Sequence, residues 1–536
     1  MAAEALAAPQ PQTVVTAPDW KMSVSDWCAV VGASLGAFMA VLDIQITNAS
    51  LKDIQGALGL DLGESGWIST AYLVAEIIII PLTAFLSRVL GLRRFMGVSA
   101  IGFIISSVLC GFSWDIHSLV VFRIFQGLTG GTLIPASFQV ILLYMPRERR
   151  TLGMAILGLT TTLAPTLGPS LGGWMTETLG WRSVFFMNIL PGILLTGLIL
   201  YGLPKTRIKW SELAGIDILS IVCLILGLGS LSYLLEEGAG HNWFSDDTLR
   251  ICFLTCIIFL PLFVVRQFAK LGSLLNLNLL LRRDFLIATV ITALSAACLY
   301  GGIYALSLYL AEIQNYSAMQ IGLVMMWVGL PQLIVMPLIP LFMKKINLKL
   351  LIVVGLCFFC YSNYLNSFLT QEYSGEQFRI SLIFRAIGQP LFMIPLSVLG
   401  MSSLLASEAG SASAIFNVMR NLGGSIGIAT VGTLLLTRQE FHSHNDVELL
   451  LMRDTSTNEQ ITILTKHFVS KGADLYTAKA QAVVYLLEWV QKQATIQAFC
   501  DIFKIMYIGL FVAAILVVFL SKSKKAGGLD ASGMMH

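Results

Sequence analysis

The sequence contains few charged residues for its length. Asp, Glu, Lys and Arg make up 12% of the 536 residues, about half the share found in soluble globular domains. The mean hydropathy is +0.78, and the net charge of +3 gives no indication of a nucleic-acid partner. These values exclude a soluble globular domain and predict a protein that crosses a membrane many times.

Signatures of catalysis and of metal binding are also missing. The sequence has no HExxH motif, no P-loop and no recognisable nucleophile–base pair, so we do not expect an enzyme. All nine cysteines lie in apolar segments, and the one CxxC pair, Cys357 and Cys360, has no second pair, so we expect apolar packing. His442 and His444 lack further ligands at suitable spacing. No metal and no cofactor are therefore predicted.

Apolar runs long enough to cross a bilayer are abundant. A span needs about 20 such residues, and the sequence contains fourteen candidates. They are predicted at residues 27–47, 67–87, 95–113, 118–143, 152–176, 183–203, 215–235, 249–268, 285–310, 321–343, 349–369, 379–401, 410–436 and 498–520. Residues 1–26 lack a basic region followed by an apolar core, so we interpret them as a disordered cytoplasmic tail rather than a cleaved signal.

The Lys and Arg residues orient these spans. With the N-terminus in the cytoplasm, the cytoplasmic connections and the tail at 521–536 carry nineteen of them, whereas the short external connections carry four. Basic residues accumulate on the cytoplasmic side of membrane proteins. The bias therefore predicts that both termini are cytoplasmic. It also supports the span count, since a missed span would move every later connection to the opposite side of the membrane.

One predicted connection is unusually long and polar. Residues 437–497 follow the thirteenth span, and the predicted orientation places them outside the membrane. Their second half, residues 476–497, has the pattern of an amphipathic helix. Loops of this length are usually functional or disordered, so the segment is interpreted either as an external docking surface or as a solvated insertion.

A charged residue within the fourth span is the most informative single feature. Arg123 keeps its charge at physiological pH and is costly at membrane depth, so a functional role is the default hypothesis. Gln126 and Gly127 lie on the same helix face, and Gly127 and Gly131 form a small-xxx-small pair that allows close helix packing. This combination of a polar face and a packing face is typical of transporters.

The segment around Arg123, FRIFQGLTGG, resembles the fourth-span motif of the major facilitator superfamily. In the fifth span, APTLGPSLGG at residues 164–173 resembles the antiporter signature of that superfamily, except that Ala164 stands where a glycine is common. Its prolines are expected to kink the helix and its glycines to allow close packing. These residues are Pro165, Gly168, Pro169, Gly172 and Gly173. The motif is interpreted as a hinge or seal between two bundles, with packing alone as the alternative.

Further segments narrow the resemblance to the 14-span drug:proton antiporter subgroup and, within it, to EmrB-type exporters. They are LDIQITNA at 42–49, WRSVFFMNILPG at 181–192 and FNVMRNLGGSIG at 416–427. The resemblance implies an all-α polytopic fold with two pseudo-symmetric six-helix bundles. The bundles would comprise residues 27–203 and 285–520, and two extra spans at 215–268 would link them.

The resemblance also implies a function and partners. Members of this family are expected to export amphipathic drugs or toxic hydrophobic compounds across the inner membrane in exchange for protons, by alternating access. An EmrA-like membrane-fusion subunit and a TolC-like outer-membrane channel would complete the pump. A dedicated exporter of an endogenous metabolite, such as a siderophore or a fatty acid, is the alternative. A non-transporting membrane sensor is a further alternative, against which the polar faces of the spans argue.

The loop between the second and third spans departs from the family pattern. Ala84, Arg88 and Val89 replace the usual glycine, aspartate and arginine, so the charge-relay role given to that motif does not carry over. Gly91 and Arg94 remain, which predicts that the tight turn and its positive anchor are retained.

Two carboxylates in the first two spans are candidates for proton coupling. At Asp43, burial favours the neutral form and a nearby cation favours the ionised form, and Arg123 is that cation if the first and fourth spans meet. Asp43 is therefore interpreted as a coupling residue or as a structural contact of Arg123. Glu76 lies ten residues into the second span, where an unpaired charge is very costly. It is interpreted as a second coupling residue or as an attractor of cationic substrates.

A polar stripe on the thirteenth span points to a substrate cavity or a gate. The predicted residues of this cavity or gate, with two from other spans, are Tyr72, Gln126, Asn417, Arg420 and Asn421. Hydrogen bonding between helices is the alternative for the stripe. Arg385, in FRAIGQP, echoes the element around Arg123, which is consistent with repeat-related halves. An interfacial anchor is the alternative for Arg385.

Overall fold

Helices account for the regular structure of the part of the chain that is described. The computed structural model describes residues 22–60, 62–146, 149–210, 217–241, 243–269, 274–401, 404–405, 408–452 and 454–521, and no strand occurs among them. Long apolar runs form helices in a membrane because helices satisfy their backbone hydrogen bonds internally. Most of the predicted N-terminal tail, and all but the first residue of the predicted C-terminal tail, lie outside the described residues.

Eighteen α-helices are described, in two groups joined by a pair of linking helices. The first group is α1 (Val24–Ala49), α2 (Leu51–Leu58), α3 (Leu62–Leu90), α4 (Leu92–Gly111), α5 (Ile116–Gly130), α6 (Leu133–Tyr144), α7 (Arg150–Leu179), α8 (Ser183–Phe186) and α9 (Ile189–Gly202). The linking helices are α10 (Ile218–Glu237) and α11 (Asp247–Phe268). The second group is α12 (Arg283–Glu312), α13 (Ala318–Lys345), α14 (Leu348–Leu365), α15 (Phe378–Gly400), α16 (Ala409–Met452), α17 (Asp454–Ser470) and α18 (Leu475–Leu516).

The helices make this a multi-pass membrane protein. Within the described residues, 12 helical segments are long and apolar enough to cross a membrane, or up to 13 if the bent α7 counts as one span. α5 with α6, and α8 with α9, each make one such segment. The predicted number of fourteen is therefore not confirmed. α16, which contains the predicted thirteenth span, is not among these segments, because its polar stripe lowers its hydropathy.

The two halves meet along two lines of helix contact. α3 and α6 of the first half pack against α16, and α7 packs against α13. The hydroxyl of Ser413 on α16 donates to the carbonyl of Pro135 on α6 at 2.8 Å, and the rings of Phe138 and Phe416 lie 6.2 Å apart. The buried core of the first half extends to Phe416 and to residues of α13, α14 and α15. The two halves are therefore packed against each other around Phe138 and Phe416.

α7 contacts both halves through the predicted hinge motif. It bends by 44° between Arg150–Pro165 and Leu167–Leu179. A Cβ added at Gly172 would lie 2.9 Å from the carbonyl oxygen of Ile46 on α1, and one at Gly168 would collide with Gln45. On the other side, Gly322 of α13 lies against Ser170. The prolines bend this helix, and its small residues allow it to sit between the bundles.

The linking helices lie on the outside of this junction. α10 packs on α3 and α16, whereas α11 packs mainly on α10. Two glutamates attach α10 to its neighbours: Thr70 of α3 donates to Glu237 at 2.8 Å, and Ser425 of α16 donates to Glu236 at 2.9 Å. The linking pair therefore contacts both halves at once.

The segment at 437–497, predicted as a loop with one helix, is helical for most of its length. α16 continues to Met452, α17 follows, and α18 begins at Leu475. The expected helix in the second half is confirmed, and the first half, for which no helix is predicted, is helical as well; the external position of the segment stays a prediction. No Gly or Pro occurs between Gly432 and Gly472, so nothing in the sequence stops the helix that leaves the bundle.

The turn between α3 and α4 has the predicted form. Gly91 has φ 78°, a backbone conformation that favours glycine. Arg94 donates to the carbonyl of Thr206 at 3.0 Å, so the positive anchor is retained without the family's aspartate.

Candidate transport site

A closed polar network surrounds Asp43 inside the first half. Arg123 on α5 pairs with its Oδ2 at 2.5 Å. Gln126 on α5 and Asn188, the residue before α9, donate to its Oδ1 at 2.9 and 2.6 Å. All four side chains are buried. The predicted pairing of Asp43 with Arg123 is thus present, and both oxygens of the Asp43 carboxylate accept hydrogen bonds.

Arg123 is enclosed on its remaining sides. Its Nε donates to the carbonyl of Ile68 on α3 at 3.1 Å, and its guanidinium lies 4.4 Å from the centre of the Tyr72 ring. Gly127 and Gly130 bring α5 so close to α3 that an added Cβ would collide with Tyr72. The small-residue face thus packs against α3, as the sequence predicts, and holds the arginine in place.

Two members of this network are not among the predicted site residues. Asn188 joins Asp43 to Ser107 on α4, donating to the Ser107 hydroxyl at 2.9 Å, and Ser107 donates to the carbonyl of Phe185 at 2.8 Å. Asn188 is the only amide side chain between Trp181 and Tyr201. That isolation in an apolar run is the signal that could have identified it.

Glu76 lies at the junction of the two halves. Its side chain on α3 is 3% exposed, and Asn421 on α16 donates to its Oε1 at 3.2 Å. Arg420, the neighbour of Asn421, acts on it through its charge over a longer distance. A Cβ added at Gly131 would lie 2.8 Å from the Cα of Glu76. Among the residues that the structure describes, Glu76 therefore has one hydrogen-bond donor, where Asp43 has three.

A cavity in the second half is lined by residues from four of its helices and by Pro165 of α7. Its volume is about 40 Å³, which is room for a few water molecules and not for a drug-sized molecule. Its lining residues are Pro165, Leu299, Tyr300, Ile303, Met325, Val328, Arg385, Gln389, Met393 and Arg420. This conformation of the protein is therefore nearly closed around the cavity.

The predicted cavity residues are divided between four places. Arg420 lines the cavity, while Gln126 and Tyr72 belong to the surroundings of Arg123. Asn421 contacts Glu76, and Asn417 is buried and donates to the carbonyl of Ser413 in its own helix at 2.8 Å. Three of the five predicted residues thus contribute to contacts between helices and one bonds within its own helix, while Arg420 lines the wall of this cavity.

Arg385 is an interior residue. Its side chain is 5% exposed, donates to the carbonyl of Leu299 at 3.1 Å and lines the cavity, so the interpretation as an interfacial anchor is wrong. As for metals, no three His, Cys, Asp or Glu side chains converge anywhere in the described ranges as ligands would.

Comparison with known proteins identifies the family. The family model described as Major Facilitator Superfamily matches residues 33–428. The chain belongs to the major facilitator superfamily. It is an EmrB-like member and thus a transporter: it is 32% identical to the colistin resistance protein EmrB of Acinetobacter baumannii, over 95% of this chain and 99% of that protein. The resemblance seen in the sequence is therefore confirmed.

Other superfamily relatives agree with this placement. The chain is 28% identical to the multidrug export protein EmrB of Escherichia coli, over 94% of this chain and 96% of that protein. It is 28% identical to the fatty acid resistance protein FarB of Neisseria gonorrhoeae, over 94% of this chain and 97% of that protein. The solved structure of the human organic anion transporter MFSD10 has a TM-score of 0.54 at 15% identity, covering 90% of this chain and 99% of that one, which supports the fold alone.

Proposed function

We propose that this transporter is a proton-coupled antiporter that exports amphipathic drugs or toxic hydrophobic compounds across the inner membrane. Relatives that match nearly the whole chain are named for colistin resistance, fatty acid resistance and multidrug export. The orientation proposed from the basic residues has both termini in the cytoplasm. It places residues 437–497, here called the extension, outside the membrane.

One observation carries the coupling proposal: a buried carboxylate, Glu76, is hydrogen-bonded across the junction of the two halves by Asn421. A hydrogen bond to a carboxylate is about twice as strong as one to a neutral acceptor, and an ionised Glu76 also attracts Arg420. Protonation of Glu76 therefore weakens the attraction between α3 and α16. The proton thereby biases the equilibrium between two arrangements of the halves.

Asp43 has a different role in this proposal. Its carboxylate accepts from three donors inside the first half, whereas Glu76 accepts from a donor across the junction of the halves, so we assign the proton exchange to Glu76. Asp43 and Arg123 hold α1, α4, α5 and the start of α9 together as one body. The two halves then move as rigid units in alternating access, with the bent α7 between them.

Proton flux in liposomes tests the proposal. Purified protein is reconstituted with a pH gradient, and proton flux is recorded on addition of amphipathic cations and uncoupler-like acids. The wild type is expected to show substrate-dependent flux that Glu76→Gln abolishes while binding is retained, and Asp43→Asn is expected to lower folded yield. The exposed Glu372→Gln is the matched control. Unchanged flux in Glu76→Gln would overturn the coupling role.

We further propose that the extension binds an EmrA-like membrane-fusion subunit, which leads to a TolC-like outer-membrane channel. α17 packs on α18, and the extension exposes large apolar side chains: Ile463 is 66% exposed and Tyr476 is 87% exposed. Such a surface is typical of an interaction site. Deleting residues 445–490 is expected to abolish export in cells but to preserve flux in liposomes. Full export in cells would contradict this.

A further inference from the structure

Two buried arginines face the cavity of the second half. Arg385 on α15 and Arg420 on α16 both line it, and their side chains are 5% and 6% exposed. Guanidinium groups keep their charge inside proteins. The cavity wall therefore carries two positive charges shielded from solvent.

Neither arginine forms an ion pair among the described residues, although the charge of Glu76 acts on Arg420 from beyond ion-pair distance. Among the described residues no Asp or Glu lies within ion-pair distance of either arginine. The sequence explains this, because α13, α14 and α15 contain no acidic residue and α12 has none between Asp284 and Glu312. The first half differs, since its buried arginine has Asp43.

Hydrogen-bond donors of both arginines also lack acceptors. The Nε of Arg385 and the Nε of Arg420 are buried without a partner among the described residues. The Nη2 of Arg123 is also buried without an acceptor, but the charge of Arg123 is balanced by Asp43. Buried charges without an ion-pair partner and with free donors are costly, so a ligand that supplies both charge and acceptors is expected to bind there.

We propose that this cavity binds the carboxylate headgroup of an anionic amphipathic substrate, with Arg385 and Arg420 as its donors. The proposal rests on the proposed export function and specifies the substrate class of that site. The guanidinium fork matches the two oxygens of a carboxylate. Leu299, Ile303 and Met393 provide the apolar wall for the tail. In this conformation the cavity has room for the headgroup only, and the tail requires the halves to open.

Chain-matched amphiphiles test the charge of the site. Binding of radiolabelled decanoate to the full-length protein in lipid nanodiscs is measured at one pH, with empty nanodiscs subtracted. Unlabelled decanoate, decyltrimethylammonium and decanol then compete for the site. Decanoate is expected to displace the label about 10-fold or more better than either of the others, since a hydrogen bond to a charged group contributes that much. If decanol competes as well as decanoate, the proposal is overturned by the wild-type protein alone.

Variants identify the donors. Arg385→Gln and Arg420→Gln are each expected to weaken decanoate binding about 10- to 100-fold, and Arg420→Lys is expected to weaken it less than the glutamine variant. Arg379→Gln is the control: it lies on the same helix, is half exposed and pairs with Glu376, and should change binding less than about twofold. Unchanged affinity in both glutamine variants would contradict the assignment.

This test is separate from the test of export. It uses no pH gradient, so an absence of proton flux with every compound would remove the antiporter proposal without touching the binding result. Conversely, proton flux driven by cations alone, with no preference for decanoate in binding, would retain the antiporter and remove the carboxylate site.

Discussion

At the scale of the residue, the two halves use the same kind of arginine in different ways. Arg123 and Arg385 lie in similar sequence elements and are both buried. The first has a carboxylate partner from another helix, whereas the second donates to a backbone carbonyl and lines the cavity. An arginine with a carboxylate partner holds helices together, and one without an ion-pair partner is available to a ligand.

The pairing of Asp43 with Arg123 predicts a pattern of stability. Asp43→Ala leaves a buried guanidinium without its counter-charge and should lower the free energy of unfolding by about 3–5 kcal/mol. Replacing both residues, Asp43→Leu with Arg123→Met, should recover most of that loss. Unfolding is followed by titration with SDS in mixed micelles.

The exposed pair of Arg379 and Glu376 serves as the control for this cycle. Glu376→Ala should cost about 0–1 kcal/mol. If Asp43→Ala is no more destabilising than Glu376→Ala, the network does not hold the first half together.

At the scale of the element, α7 combines a bend with a row of small residues. Its 44° bend lies beside Pro165, and its glycines contact the backbone of α1 around Ile46. The helix also lies against α13 of the other half. We therefore propose that α7 transmits a rotation of one bundle to the other.

A matched pair of glycine substitutions tests the packing of α7. Gly172→Val places a side chain against the backbone of Ile46 and should lower the free energy of unfolding by about 1–3 kcal/mol more than Gly197→Val does. Gly197 also lies within a helix, but an added Cβ there meets nothing within 4 Å. Both are measured by unfolding in SDS. Equal effects would contradict close packing of α7 against α1.

The sequence predicts some of these features and misses others for physical reasons. Hydropathy locates most spans because each is a local property of about 20 residues, and Arg123 with Asp43 stands out because charges are rare at membrane depth. The helix that continues beyond residue 437 was missed because polarity was interpreted as loop. The position of Arg385 on the cavity wall depends on how four helices meet, which no local pattern of residues encodes.

At the scale of the whole molecule, our proposal is that the halves move as two bodies and that Glu76 is the titratable contact between them. The first half is held together by the Asp43 network, and the second half contains the cavity. Glu76 and Asn421 join them, while α10 contacts both near the same junction. In this account a proton on Glu76 changes the relative position of the two bodies. That movement changes the side of the membrane to which the cavity, and a substrate in it, is open.

The distance between the halves at both ends of the molecule tests this central claim most directly. Spin labels at Leu179 with Met319, and at Lys205 with Ile346, report the two ends in full-length protein whose nine free cysteines are replaced. All four positions are exposed. Pulsed EPR distances are measured in nanodiscs over a range of pH.

Lowering the pH is expected to change the two distances in opposite directions in the wild type. The same titration in Glu76→Gln should leave both distances fixed, because the side chain stays neutral at every pH. Identical pH responses in the wild type and in Glu76→Gln would contradict the account.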